Sequence, residues 1–326
     1  MNATASALVM HPDCGRHDTG WGHPEHMGRL PAIVRAVERE TPALHERVLH
    51  RVPGHATELQ VLRAHTPGHV ARVRRLVAEA ETNGRPVTVG GDTVVSAASW
   101  EAALAAAGCA AEAAAVVVRG EAGSAFALTR PPGHHATADA LMGFCLFNNV
   151  AVATRALQAE WSIRRVMIVD WDVHHGNGTQ DIFYDDGDVY YLSLHQWPWY
   201  PGTGRADERG AAAGRGTTRN VPVRGGTSRG DYLRLYTGAL DAAFAEFAPE
   251  FVFVSAGFDC LAGDPLGGLL LEPDDIHAMT ARLLDQSRAT AGGRVVVVLE
   301  GGYDPQRAGA GVVATLRALC GLPPRA

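Results

Sequence analysis

Lysine is absent from this 326-residue chain, and all 29 of its basic residues are arginine. Alongside abundant alanine and glycine, that reads as a compositional bias and carries no function of its own. Cysteine is scarce: five residues, at 14, 109, 145, 260 and 320, with no C-x-x-C pair. That excludes a disulfide framework and a cysteine-rich zinc finger. No run of eighteen apolar residues occurs, so no membrane span is expected. The first ten residues carry no basic n-region ahead of their apolar stretch, unlike a secretion signal. The expected compartment is the cytoplasm. Positive charge is also short, with a net charge of −6, the wrong sign for a non-specific nucleic-acid binder. What the chain has is apolar bulk (46% hydrophobic, 20% charged), enough to form a core. It also has 15 histidines, four of them in two adjacent pairs, His134-His135 and His174-His175.

Short β-branched runs alternate with longer segments of helical spacing. Strands are predicted at 7–10, 124–128, 165–169, 189–194, 251–255 and 294–299. Helices are predicted at 28–40, 67–81, 96–118, 148–161, 228–248, 273–291 and 305–319. The run VVVVL at 295–299 is apolar on both faces, as a central parallel strand covered by two helical layers must be. Ser228 suits an N-cap, and Pro67 and Pro273 suit first-turn positions. The alternation predicts one doubly wound α/β domain over 1–326, with a central, mostly parallel sheet flanked by helices. The segment 201–227, rich in Gly, Arg and Thr, reads as a long surface loop.

Sites in such sheets form where strands end at their C-terminal edge. Four predicted strands each run into a polar motif there: Thr129 to His135, Asp170 to Asn177, Ala256 to Asp259, and Glu300 to Tyr303. In an extended segment Asp170, Asp172 and His174 share one face. Asp172 and His174 offer one oxygen and one nitrogen ligand, and Asp259 a third donor. Three protein ligands with an open position describe a catalytic zinc centre, and the same hard donors also suit Fe(II) or Co(II). His134 and His135 sit after a stiffening Pro-Pro-Gly turn, and two imidazoles near a cation should titrate apart. Tyr303, after two glycines, offers a phenol to a developing oxyanion.

Taken together these residues resemble the zinc-dependent histone deacetylase family, in its class II-like branch with bacterial deacetylase-like and acetylpolyamine amidohydrolases. The motifs carrying the resemblance run from Gly22-His23-Pro24-Glu25 and Arg29-Leu30 through Gly91-Asp92-Thr93 and RPPGHHA at 130–136. They continue with GFCLFNN at 143–149, VDWDVHHGNGTQDIF at 169–183 and SLHQWPWYPGTG at 193–204. AGFDCLAGDPLGG at 256–268 and LEGGYD at 299–304 complete the set. The resemblance implies an arginase/deacetylase-like fold, one Zn(II) per chain held by Asp172, His174 and Asp259, and a structural potassium ion. It implies His135 as general base and acid, His134 as a more cationic neighbour oriented by Asp170, and Tyr303 as oxyanion donor. Gly133 and Phe144 would line an acyl-lysine tunnel opposite Tyr200, with Asp92 gripping the substrate at the rim. Monovalent cations are expected near Asp170, Asp172, His174, Ser193 and Leu194, and near Phe183 and Val189.

The chain also departs from the patterns of the family it resembles. Asn177 stands where class I members carry Asp to orient the second histidine. Tyr200 occupies a position often held by Phe. Leu266 stands where polyamine-selective vertebrate relatives carry Glu, and the 11–23 segment lacks the long insertion of bacterial acetylpolyamine enzymes. The expected activity is therefore hydrolysis of acyl-lysine in proteins or peptides, or of a similar acylated small amine, with no nucleic-acid or membrane partner and a homo-oligomer left open. The rivals are an acetylpolyamine amidohydrolase, a manganese ureohydrolase and an inactive acyl-group sensor.

Overall fold

A computed structural model describes residues 6–325. Ten strands are formed: β1 Ser6–Met10, β2 Val48–Arg51, β3 Val87–Val89, β4 Thr93–Val95, β5 Ser124–Leu128, β6 Val166–Asp170, β7 Val189–Gln196, β8 Thr218–Val223, β9 Phe251–Ala256 and β10 Val295–Leu299. Eight of them make one sheet in the order β2-β1-β5-β10-β9-β6-β7-β8. Every neighbouring pair in it is parallel. β3 and β4 form a separate antiparallel hairpin. The chain winds to one edge through β1 and β2 and to the other through β6, β7 and β8, and returns to fill the middle with β9 and β10, so the sheet is wound in both directions.

The helices are α1 Arg29–Arg39, α2 Thr41–Leu44, α3 Glu58–Leu62, α4 Pro67–Asn83, α5 Ser99–Val118, α6 Asn149–Glu160, α7 Asn177–Phe183, α8 Arg229–Glu246, α9 Pro273–Ala291 and α10 Pro305–Leu319. α5 packs on α6 and on β1, β5 and β10. α1, α10, α9 and α8 pack in succession, with α8, α9 and α10 against the sheet. The central strands β5, β6, β9 and β10 are buried at every position, as their uninterrupted apolar runs require. Ser228 caps α8 through the Asp231 amide, and Pro67 and Pro273 open α4 and α9.

One sequence reading needs correction. The 201–227 segment is not all loop: Thr218–Val223 pairs in parallel with β7. Its Arg219 and Pro222 break the apolar pattern, which an edge strand tolerates because only one side of it is paired. β2 was hidden for the same reason. α7, Asn177–Phe183, is an element the sequence did not predict. α5 is long and apolar enough by length and composition to cross a membrane, but most of it is buried as the alanine-rich core helix behind β1, β5 and β10. All five cysteines are free thiols and buried.

A buried ion cluster ties the N-terminal segment to the sheet edge. Glu25 is fully buried and accepts from Arg29 at 2.9 Å and from Arg130 at 2.6 Å. Burial alone would raise the Glu25 pKa, but the two guanidinium groups, Arg130 first, pull it below the ordinary carboxylate value. Arg130 also donates to the carbonyls of His17 and Glu25, and Arg29 to those of Glu300 and Gly302. Removing one partner of a buried pair leaves an unpaired buried charge. Glu25→Ala should therefore lose about 3–5 kcal/mol of stability. Denaturant unfolding checks this, and an unshifted midpoint would show that the cluster is not structural.

Candidate metal centre and acid–base site

The C-terminal ends of β5, β6, β9 and β10 meet at one point of the rim. β6 ends in Asp170, and the chain bends through Asp172 to His174, whose amide donates to Asp172 Oδ1. β9 leads through Gly257 to Asp259, and β10 leads into Gly301-Gly302-Tyr303. Asp172 and Asp259 are fully buried and His174 almost so. His174 Nδ1 lies 3.0 Å from Asp172 Oδ1 and 3.2 Å from Asp259 Oδ2. One donor atom from each of the three residues falls within 4.8 Å of the others. The backbone fixes the carboxylates: Val173 N–H donates to Asp259 Oδ1 at 2.8 Å, and Gly301 N–H to Asp172 Oδ2 at 2.9 Å.

Two observations test whether this cluster suits a cation. Asp259 Oδ2 is buried and has no hydrogen-bond partner. An acceptor left so is costly unless positive charge sits beside it. The nearest nitrogen to that oxygen, His174 Nδ1 at 3.2 Å, makes no hydrogen bond to it. Second, although burial would lower the His174 pKa, Asp172 and Asp259 raise it to about 10. The field that holds a proton there equally favours a metal ion. The site is also shaped: a Cβ on Gly301 would fall 2.1 Å from Asp259 Oδ2, and one on Gly257 2.1 Å from Asp172 Oδ2. Both positions must be glycine to admit the carboxylates. The three donors fit a divalent ion with part of its coordination open.

Beside the cluster stand the paired histidines, their rings 4.0 Å apart. His134 Nδ1 lies 3.1 Å from Asp170 Oδ2, which also accepts from Tyr191. Burial lowers the His134 pKa, but Asp172 and Asp170 outweigh it and raise the value to about 10. His135 Nδ1 lies 2.8 Å from Asn177 Oδ1, and Asn177 in turn donates to Met142 Sδ. Burial, then the charge on His134, pushes His135 well below the ordinary histidine value. The pair therefore splits into one cationic and one neutral imidazole, the neutral one with Nε2 free to take a proton. Glu300 steadies the turn from beneath, accepting the amides of Gly133 at 2.6 Å and His134 at 3.2 Å. Nothing in LEGGYD announced that buried glutamate.

A cavity of about 280 Å³ opens onto this floor. It is lined by Asp92, His135, Gly143, Phe144, His174, Trp199, Tyr200, Leu266 and Tyr303. Gly133, expected in the wall, lies beneath it instead, where an added Cβ would meet Asn149 N at 2.5 Å. Gly143 is the glycine that lines the cavity: a Cβ there would stand 2.3 Å from His135 Cδ2. Gly143 was within the quoted GFCLFNN motif, but nothing distinguished it from Gly133 without the register of the two loops. Phe144, in the left-handed region at φ 68°, packs edge-on to Tyr303, and Tyr200 packs edge-on to His135. Burial, then Asp259, raises the Tyr303 pKa, so its phenol stays a donor. At the rim, Thr93 donates to Asp92 Oδ1 at 2.7 Å and Tyr200 to Asp92 Oδ2 at 3.2 Å. Leu266 offers its carbonyl to Trp199 Nε1. His23 lies against both the Asp92 carbonyl, at 3.1 Å, and the Phe144 ring. Of the residues expected near monovalent cations, Asp170 and Ser193 are register partners across β6 and β7, with Leu194 next along. Phe183 and Val189 lie at the end of α7 and the start of β7.

A cavity with paired histidines at its foot and a buried seat for positive charge beside it is equipped for hydrolysis, and the chain is a hydrolase built on a parallel sheet between helical layers. It belongs to the histone deacetylase family, whose domain it matches over residues 23–319. It is 40% identical over 281 residues to the histone deacetylase-like amidohydrolase of Pseudomonas aeruginosa, covering 86% of this chain and 71% of that protein. It is 38% identical over 313 residues to the chloroplastic histone deacetylase 10 of Oryza sativa subsp. japonica, covering 92% of this chain and 70% of that one. A probable deacetylase of Archaeoglobus fulgidus is 36% identical over 303 residues, 93% of this chain and 82% of its own. The crystal structure of the HDA15 HD domain superposes with a TM-score of 0.91 at 36% identity, over 99% of this chain and 90% of that one.

The split between the two imidazoles sets a pH dependence. If neutral His135 takes the proton, the acid limb of kcat/KM lies below the ordinary histidine pKa of about 6.5. Asn177→Asp adds a charge that favours the imidazolium, so the limb moves to higher pH. A pH–rate profile of both proteins checks this, and coincident limbs would remove His135 from the base role.

Proposed function

We propose that this chain is a single catalytic domain acting as a zinc-dependent amidohydrolase. It removes acetyl or related acyl groups from the side-chain amine of acyl-lysine in proteins or peptides, or from a similar small amine. The observation that carries the reading is the buried, unpartnered Asp259 Oδ2 beside Asp172 and His174 at the foot of an apolar cavity. Asp172, His174 and Asp259 would hold the zinc, which when bound supplies Lewis acidity to the acyl carbonyl and lowers the pKa of water toward about 7.

The chain's own groups divide the remaining work. Phe144 and Tyr200 hold the linear acyl-amine arm between them and exclude water along it. Tyr303 donates a hydrogen bond to the carbonyl oxygen as negative charge develops there. His135 Nε2 takes the proton from the attacking water and returns it to the departing amine. His134, kept cationic by Asp170 and Asp172, supplies fixed positive charge and stops its neighbour from protonating early. The carbonyls around Asp170, Asp172, His174, Ser193 and Leu194 are proposed to hold potassium, and those at Phe183 and Val189 a second ion. The cytoplasm is the proposed compartment.

The rim argues for an acyl-lysine peptide over an acylated polyamine. Asp92 is the one carboxylate in the cavity lining, and both its oxygens already accept from Thr93 and Tyr200. A polycationic chain would meet Leu266, Trp199 and Phe144 in place of free acidic groups. A ureohydrolase needs two metal ions, and the cluster at this floor gathers three donors only.

Tyr303→Phe should lower turnover of an acetyl-lysine peptide by about 10²–10³ with zinc content unchanged; near-normal turnover would deny the phenol its role. Asp259→Ala should abolish zinc uptake at this site, and elemental analysis that still finds zinc between the remaining ligands would overturn the ligand set. A panel of acetyl-, lactyl- and longer acyl-lysine peptides, run beside acetylated polyamines with zinc-loaded protein, tests the substrate reading. Equal kcat/KM for peptide and polyamine would contradict it.

A further inference from the structure

The same rim of the sheet carries a second constellation of metal-binding groups, at the far end from the catalytic floor. β1 and β2 are parallel neighbours, with Val9 opposite Arg51, so the segments leaving them emerge side by side. His11 follows β1 and opens a 3-10 turn, Pro12–Arg16, that contains Asp13. His55 lies on the connection from β2 to α3. Asp13 Oδ2 stands 2.8 Å from His55 Nε2 and 3.8 Å from His11 Nδ1. The two imidazole rings are 4.7 Å apart, and the three donor atoms lie within 4.8 Å of one another. None of the three residues touches the catalytic cavity.

We infer that His11, Asp13 and His55 form a second divalent-cation site, for a borderline transition ion such as Zn(II), independent of the catalytic centre. Two imidazoles and a carboxylate are the donor set such ions take, with water completing the coordination. The side chains are partly exposed, His55 the most at 34%, so an ion reaches them from solvent. Arg16 occupies Asp13 Oδ1 at 3.1 Å, while Oδ2 shares a proton with His55 Nε2 at 2.8 Å, and the ion would take that proton's place. His11 Nδ1 accepts the Asp13 amide at 3.1 Å, and the ion would take that lone pair in its place.

An ion there would staple two connections that meet through the His55–Asp13 hydrogen bond and the His11–His55 ring contact. One of them, between β1 and α1, carries His17, His23 and Glu25, which reach the rim and the buried ion cluster. Binding to the folded state alone raises its stability by mass action.

The test is equilibrium dialysis of the full chain against Zn(II), with metal per chain read by mass spectrometry and the thermal midpoint recorded with and without the ion. Wild type should take up two zinc ions per chain. His55→Ala, and Asp13→Asn, which keeps the shape of the side chain, should each take up one and still hydrolyse acetyl-lysine peptide. Asp259→Ala should also take up one, retained at the second site, and its Co(II) form should lose visible absorption on adding His55→Ala. If His55→Ala and Asp13→Asn bind as much zinc as wild type, the second site does not exist. Loss of uptake by Asp259→Ala with both sites otherwise intact would refute the independence of the two.

Discussion

Two carboxylates with no access to solvent face one imidazole at the centre of this protein, and the rest of the rim is arranged to make that tolerable. Asp172 and Asp259 repel each other in a medium that screens poorly. Burial and Asp172 together push the Asp259 pKa up to about 7. Backbone amides from Val173 and Gly301 and the ring of His174 offset part of the cost, and one oxygen remains without a partner. A bound cation would meet that residual demand for positive charge. The same carboxylates act on the histidines: Asp172 and Asp170 hold His134 protonated, and burial with the charge on His134 leaves its neighbour neutral.

Holding such a cluster requires a frame that does not relax. Parallel strands buried on both faces provide it, because each strand end is fixed by two neighbours and two helical layers. Around the frame, charged groups cross-link loops far apart in sequence. Arg29 reaches the carbonyls of Glu300 and Gly302, Arg130 clamps the His17 and Glu25 segment, and Glu300 holds the turn that carries the paired histidines. Asp264 accepts the amide of Tyr303 at 2.6 Å and so aims the phenol. The chemistry sits on loops, but their positions are set by buried ionic and hydrogen-bonded contacts.

The sequence made the central fold legible because its strands are uniform. Runs such as 295–299 have no polar face, so their place in the middle of a parallel sheet follows from composition alone. The outer strands were not legible: β8 carries Arg219 and Pro222, β2 is four residues long with a histidine, and both take one neighbour only. The ligands stood out in D-x-D-x-H and the strand-end Asp259 because period-two spacing puts the first two on one face. The framework did not. Glu25 and Arg29 are four residues apart, but Arg130 meets Glu25, Arg29 meets Glu300 and Glu300 meets Gly133 across more than a hundred residues, and no local pattern records such contacts. The exchange of Gly133 for Gly143 in the cavity wall has the same origin, since only the folded register of two loops decides which glycine faces His135.

The central claim is that the buried triad seats a single divalent ion. Diffraction from crystals of the zinc-loaded protein, recorded above and below the zinc absorption edge, measures this directly. The account predicts an anomalous difference peak bounded by Asp172, His174 and Asp259. A map with no peak between those three side chains would contradict it.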